Sequence, residues 1–380
     1  MNITIVTGPF LPAGVGISGA VEKRWLGVAK IMAGHGHDVT IVSREWPMAS
    51  RCENVDGVLI RRCGGYGRSR VFVLDVVRDF FYSARALFVA PPADITVTNA
   101  FWLPLLSFLR KKRLGCVVVN AARFPKGQMW LYRHVDRISA VSHAVAEAIA
   151  DQTPQVARLL KVIPNPVDVE VFRPAEIPKL ENGGYRFLYT GRVHPEKGLH
   201  LLVQALKSLT GEYPGISLSI LGVTSIKYGG GGDAYVQRLE ELADGLPLQF
   251  ESNLSDPREL AGRMSRADYY CYPSLADIGE SFGIAPLEAM SLGFAPILSN
   301  LGCFHEFADT GNSFVFDHLN GDPVDNLAST IREVLASPDL VRSRSEKAVE
   351  TARKFSYENI AEMYLDDWKE LLLAGNCNGQ

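Results

Sequence analysis

The chain has 380 residues, is 47% hydrophobic and carries a formal net charge of −3, more apolar mass than one core usually organises, so two domains are the expected arrangement. No run of 18 or more uncharged apolar residues occurs, because Asp75, Arg78, Asp79 and Arg85 interrupt the most apolar part of the first half, which argues against a spanning helix. The six cysteines, at 52, 63, 116, 271, 303 and 377, form no Cys-x-x-Cys or Cys/His cluster, which argues against structural zinc and for thiols in a reducing compartment.

The sequence opens on an apolar strand-like run, 3–7, with no basic segment, apolar core and cleavage site in front, and this sets the expectation of a cytoplasmic protein. Gly14-Val-Gly16-Ile-Ser-Gly19 then matches the G-x-G-x-x-G dinucleotide pattern. That fingerprint wants its first glycine directly after the strand, and here residues 8–13 intervene, so an NAD-dependent oxidoreductase is the weaker reading. Gly16, then Gly14, are the candidates for close backbone approach to a ligand. Helical spacing at 21–33 and 141–149, with strand-like runs at 39–43, 95–98 and 116–120, gives a β-then-α alternation that implies a parallel sheet.

A proline-bearing stretch, 165–178, reads as a linker, after which strand-like runs at 187–189, 217–221, 269–272 and 295–298 repeat the pattern. Tyr189-Thr-Gly-Arg192-Val-His-Pro-Glu-Lys197-Gly198 sets Arg192 and Lys197 at the carboxyl end of a strand, where open α/β sheets bind ligands. The four glycines 229–232 read as a flexible loop and not a phosphate loop, since no Gly-Lys-Ser/Thr follows. In 273–300, Glu280 and Glu288 border a loop-to-helix junction. Ser281, Phe282 and Gly283 leave the loop, Pro286 suits the first turn, and the free N–H groups of such a helix start favour an anion. Two cations and a helix start neutralise a diphosphate, and the natural partners of the two carboxylates are hydroxyls. Helical spacing returns at 199–209 and 357–373.

On these segments, together with Val141-Ser142 and residues 162–174, the chain resembles the retaining family 4 glycosyltransferases over nearly its whole length. The resemblance implies the GT-B fold, two Rossmann-like parallel-sheet α/β domains facing a cleft. Residues 1–168 would bind the acceptor, 169–356 the nucleotide-sugar donor, and 357–375 would return as a helix to the first domain. It implies a hexosyltransferase that moves a sugar, with retention, from a nucleotide diphosphate to a saccharide, lipid-linked or small-molecule acceptor, as in polysaccharide biosynthesis. A UDP-sugar is favoured over a GDP-sugar. Arg192 and Lys197 would take the charge of the departing diphosphate, Glu280 the donor-sugar hydroxyls and Glu288 the ribose diol. Backbone N–H groups of Phe282, Gly283 and Ile284 would meet sugar and phosphate oxygens, Leu254 the base, and Gly14 and Gly16 the diphosphate loop.

Asn120, or Arg123, stands where the family often has a histidine near the donor sugar; an asparagine orients a hydroxyl but is no base near neutral pH. Pro166 stands where a glycine is frequent, and Cys303-Phe-His305-Glu306 replaces a glycine-rich run, with His305 read as polar packing. No Asp-x-Asp tripeptide occurs, so no metal and no other cofactor is expected. The alternative is a nucleotide-sugar epimerase or phosphorylase of the same fold.

Charge is uneven: residues 1–170 carry 21 Lys and Arg against 13 Asp and Glu, leaving 18 against 29 in the remainder. Arg61-Arg62, Arg68, Arg70 and Arg110-Lys-Lys-Arg113 accompany the aromatic runs Phe80-Phe-Tyr82 and Phe101-Trp102. The mixture suits an anionic membrane surface at its inner face or a lipid-linked acceptor, against the simpler reading of a solvated basic face. Nucleic acid is not expected, because no binding module accompanies the charge.

Overall fold

The computed structural model describes residues 1–16, 18–69, 71–174 and 184–375. Arg70, Cys377 and the linker reading beyond residue 174 lie outside them. The chain divides into two compact units, Met1–Pro166 with the segment that begins at Tyr357, and Val167–Ser356.

The first unit is built on an eight-stranded sheet in the order β3-β4-β2-β1-β5-β6-β7-β8. Its strands are β1 (Asn2–Val6), β2 (Asp38–Arg44), β3 (Cys52–Val55), β4 (Val58–Cys63), β5 (Ile95–Thr98), β6 (Cys116–Ala121), β7 (Arg137–Ala140) and β8 (Leu160–Val162). The inner strands are apolar almost without interruption, as strands covered on both faces must be, and Ile3, Ile5, Ile41, Val97 and Val118 are fully buried. One departure from a parallel sheet is the edge hairpin β3–β4, which is antiparallel. Asp56 and Gly57 at its turn both have positive φ, 50° and 85°, the conformation an Asp-Gly pair adopts in a tight hairpin.

The last helix, Tyr357–Leu373, packs within this unit on the first, Ala20–Gly34. The Trp25 and Tyr364 rings lie 5.1 Å apart and Tyr364 and Trp368 5.3 Å apart. Gly27 permits the close approach, since a Cβ there would sit 2.3 Å from the Tyr357 ring.

The second unit has a six-stranded sheet, β11-β10-β9-β12-β13-β14, parallel at every pairing. Here β9 is Tyr185–Thr190, β10 Ile216–Leu221, β11 Leu248–Glu251, β12 Tyr269–Tyr272, β13 Ile297–Ser299 and β14 Phe314–Phe316. Strand order reverses between β1 and β5 in one sheet and between β9 and β12 in the other. At such switch points the loops of open α/β sheets diverge at the carboxyl ends of the strands, where ligands bind. Cys52, Cys63, Cys271 and Cys303 are free thiols. Among the described residues no helix is long and apolar enough to cross a membrane.

Candidate active site

In the second unit, the loops that follow β9 and β12 bring Lys197 and Glu280 together. Lys197 ends a short turn, Pro195–Lys197, and the chain then passes through Gly198 in the left-handed region before the helix Leu199–Leu209. A Cβ on Gly198 would lie 2.0 Å from the Pro273 carbonyl oxygen, so glycine lets the two loops touch. Lys197 Nζ stands 2.5 Å from Glu280 Oε2, with the two side chains only 5% and 13% exposed. Tyr272 Oη donates to the same carboxylate oxygen at 2.9 Å, and Lys197 Nζ lies 5.6 Å from the Tyr272 ring centre. Burial, with Glu280 adding to it, pushes the Tyr272 phenol well above its ordinary value, so it remains a neutral donor. Tyr189 stacks on Tyr272 at 5.3 Å and donates from Oη to the Arg192 carbonyl at 2.9 Å.

Arg192 does not join that pair. Its guanidinium donates to Glu196 Oε1 at 2.5 Å and to the Gly229 carbonyl at 2.7 Å. The glycine segment 229–232, expected to be a flexible loop, is instead a hydrogen-bonded turn. Gly230, Gly231 and Gly232 donate to Ser225, Val193 and Thr224, and a Cβ on Gly230 would meet the Thr224 oxygen at 2.1 Å. Its glycines serve close packing, and the turn anchors Arg192.

The helix Ile284–Ser291 starts after Gly283, at φ 92°, where a Cβ would strike Phe304 at 2.6 Å. The Phe282 side chain is core, set against Phe307 at 5.4 Å and Phe355 at 6.0 Å, so only its backbone is left to meet a ligand. Ile284 and Glu288 are half-buried on this helix, and Leu254 is half-buried beyond the edge strand β11. His305 is polar packing, 2.8 Å from Asn300 Oδ1.

In the first unit a cavity of about 410 Å³ opens where the loops after β1, β5 and β6 diverge. Glu22 and Asp79 line it while 6% exposed. Burial raises both carboxyls; backbone N–H groups, Ser83 for Asp79, and Arg24 and Arg68 for Glu22 offset part of that. Asp79 Oδ1 accepts from Ser83 Oγ at 2.9 Å and from the Trp102 N–H at 3.1 Å. Arg68, Arg123 and Lys126 add positive charge to the same lining.

Asn120, expected to act on substrate, lines the cavity but is held by buried neighbours. Its Oδ1 accepts from Arg24 Nη2 at 2.5 Å and Asn99 Nδ2 at 2.9 Å, and its Nδ2 donates to Tyr364 Oη at 3.4 Å. Asn120 is thus a fixed member of a buried network. Arg24 at its centre also donates to Asn165 Oδ1 at 2.5 Å; burial lowers its pKa, and its Nε has no partner. Gly14 has φ 75° and packs on β4, where a Cβ would sit 2.6 Å from Ile60; Gly16 is exposed with nothing within 4 Å. Gly8 and Gly19, rather than Gly14 and Gly16, line the cavity. The first helix begins at Ala20, far beyond the end of β1, so the dinucleotide fingerprint lacks its strand-turn-helix context.

Sequence reasoning passed over Tyr189, Tyr272, Glu196, Arg24, Glu22 and Asp79. The tyrosines had a signal, an aromatic at the end of each motif strand. Arg24 had none, because a cation beside Trp25 in a helix reads as surface.

Two units, each built on a predominantly parallel sheet with a switch point, have the GT-B fold of glycosyltransferases. The Glycosyltransferase Family 4 profile matches residues 21–171 and the Glycosyl transferases group 1 profile matches 173–355. The chain belongs to the family 4 glycosyltransferases. It is 29% identical over 217 residues to a phosphatidyl-myo-inositol mannosyltransferase of Mycolicibacterium smegmatis, covering 56% of this chain and 52% of that one. It is 28% identical over 231 residues to a D-inositol 3-phosphate glycosyltransferase of Corynebacterium urealyticum, covering 57% and 52%. The chain spans about half the length of the curated relatives it matches. Among solved structures, sucrose-phosphate synthase from Thermosynechococcus elongatus superposes with TM-score 0.76 at 19% identity over 98% of this chain and 100% of that one. Anabaena HepE in complex with UDP-glucose gives 0.70 at 17% identity over 97% and 100%. These likenesses are in fold.

Proposed function

We propose that the protein is a hexosyltransferase that moves a sugar, with retention, from a nucleotide diphosphate to a saccharide, lipid-linked or small-molecule acceptor. The observation that carries this reading is the buried Lys197–Glu280 pair beside Tyr272, at the switch point between β9 and β12. Breaking the anomeric bond puts negative charge on the leaving diphosphate, and a cation already in place there lowers the barrier. Lys197 supplies that charge, and Glu280, oriented by Lys197 and Tyr272, accepts from donor-sugar hydroxyls. Arg192, braced by Glu196 and Gly229, adds a second cation from the same loop. Glu288 holds the ribose diol, backbone N–H groups of Gly283 and Ile284 take phosphate oxygens, and Leu254 borders the base. The acceptor hydroxyl attacks from the face the diphosphate leaves, and its proton passes to the departing phosphate oxygen. The cavity of the first unit, with two buried carboxylates and a cationic lining, suits a polyhydroxylated acceptor.

A UDP-sugar is the favoured donor, a preference supported by the UDP-glucose complex of the HepE neighbour. No metal is required in this reading, since the sequence has no Asp-x-Asp tripeptide and the cations are the protein's own. The test is calorimetry and thermal shift with UDP-, GDP-, ADP- and TDP-sugars, NAD and NADP, without added metal. Stabilisation by one sugar nucleotide supports the reading. Stabilisation by a nicotinamide dinucleotide alone, or turnover without an acceptor, overturns it in favour of an oxidoreductase or an epimerase.

A further inference from the structure

The helix Phe72–Val89 turns one face inward, with Asp79, Tyr82, Ser83, Ala86 and Leu87 buried. Its other face is apolar and in water. Val73, Val77, Phe81 and Phe88, spaced to share one stripe, are all exposed, Phe88 by 68%. Phe72 at the helix start is 72% exposed, and Phe108, beyond the helix, 73%. The outward face of a helix on a soluble domain is ordinarily polar, and an apolar patch of this extent marks an interaction surface. Of the aromatics singled out in the sequence, Phe81 is 51% exposed and belongs to the stripe, whereas Tyr82 is buried and Phe101 and Trp102 fold back, Trp102 onto Phe80 at 5.6 Å.

Positive charge adjoins the stripe. The Arg110 guanidinium lies 4.9 Å from the Phe88 ring centre and donates to the Leu87 carbonyl at 3.3 Å, which fixes the basic run 110–113 beside the helix end. Lys112 is exposed there. Arg62, by contrast, is buried and paired with Glu53, and belongs to the interior. The acids of the helix are turned away: Asp75 accepts from the Ser69 N–H at 2.7 Å, and Asp79 is buried.

We propose that this face docks on an anionic lipid bilayer. The helix lies in the headgroup plane, its valines and phenylalanines enter the acyl boundary, and Arg110 and Lys112 meet lipid phosphates, while Lys111 is held by Asp136. A second copy of the chain fits the face less well, because pairing two such patches sets like charges against each other. Docking goes beyond glycosyl transfer and is read on lipid alone, so it stands or falls separately from the catalytic reading.

The test is sedimentation of the full chain with vesicles of phosphatidylcholine, with and without phosphatidylglycerol, beside light scattering for oligomeric state. The chain is expected to sediment with the anionic vesicles and to be released by salt. Phe81→Ser with Phe88→Ser should weaken partitioning about tenfold or more, and Lys112→Glu about fivefold or more on anionic vesicles only. The substituted residues are exposed, so an unchanged circular dichroism spectrum confirms folding. Absence of sedimentation with anionic vesicles overturns the proposal. So does partitioning that the phenylalanine substitutions leave unaltered, or a dimer that they dissolve, which would make the occupant a second copy.

Discussion

Lys197 and Glu280 are nearly shut off from solvent, so each is the other's main source of compensation. Breaking a buried pair by removing one member leaves a charge with neither water nor partner, at about 3–5 kcal/mol. Lys197→Met keeps the aliphatic stem and removes the charge. It should lower thermal stability by that order and turnover by about 10²–10³-fold, the usual effect of losing one group aimed at developing charge. Adding Glu280→Gln should restore the melting temperature, since a neutral amide still accepts from Tyr272, and leave turnover low. Recovery of both would make the pair purely structural. Asp79 gives a different signature. Burial raises its carboxyl above the ordinary range, so between the unfolded and folded pKa values the folded chain binds more protons than the unfolded one. Stability therefore falls as pH rises through that window and levels off above it. Asp79→Asn keeps an acceptor for Ser83 and Trp102 and removes the titration, so its melting temperature relative to the parent should rise from acid to neutral pH. A pH-independent difference would contradict this sign.

Elements hold these residues in place through contacts of backbone with backbone. Gly198 joins the turn after β9 to the helix behind it, and its left-handed φ of 66° and contact with the Pro273 carbonyl both exclude a side chain. Gly198→Ala should cost about 3 kcal/mol or more through strain. At about 2–4 °C per kcal/mol for a unit of this size, that is a fall of roughly 6–12 °C by calorimetry. The strands of both motifs were legible because their apolar runs end at Gly191 and Pro273, and the helix 199–209 because its spacing is regular. β3, β4, β7, β8, β11 and β14 were not, most of them too short to carry a period; the Asp56-Gly57 turn was the overlooked signal for the edge hairpin of β3 and β4. The helix Phe72–Val89 escaped notice because apolar residues on both faces blur its periodicity. The site was half legible. Lys197 and Glu280 declared themselves by position, but that Lys197 rather than Arg192 meets Glu280 depends on the Gly229 turn and Glu196 capturing the guanidinium.

At the scale of the whole molecule, two cores are expected to unfold in two cooperative transitions. The first unit is discontinuous in sequence, because it is completed by the helix Tyr357–Leu373 after the chain has formed the second unit. Trp368 is fully buried in that helix and Tyr364 links it to Trp25. Trp368→Ala deletes a large aromatic from the core, at about 3–5 kcal/mol, and should lower the transition of the first unit by roughly 6–20 °C. The transition of the second unit should stay in place, and a sugar nucleotide, which under the proposed function binds this unit, should raise that transition alone, by mass action. Calorimetric scans of parent and variant, each with and without the nucleotide, separate the two effects. If Trp368→Ala and the nucleotide shift one common transition, the units do not unfold independently; if the variant moves only the transition that the nucleotide raises, the last helix stabilises the second unit instead.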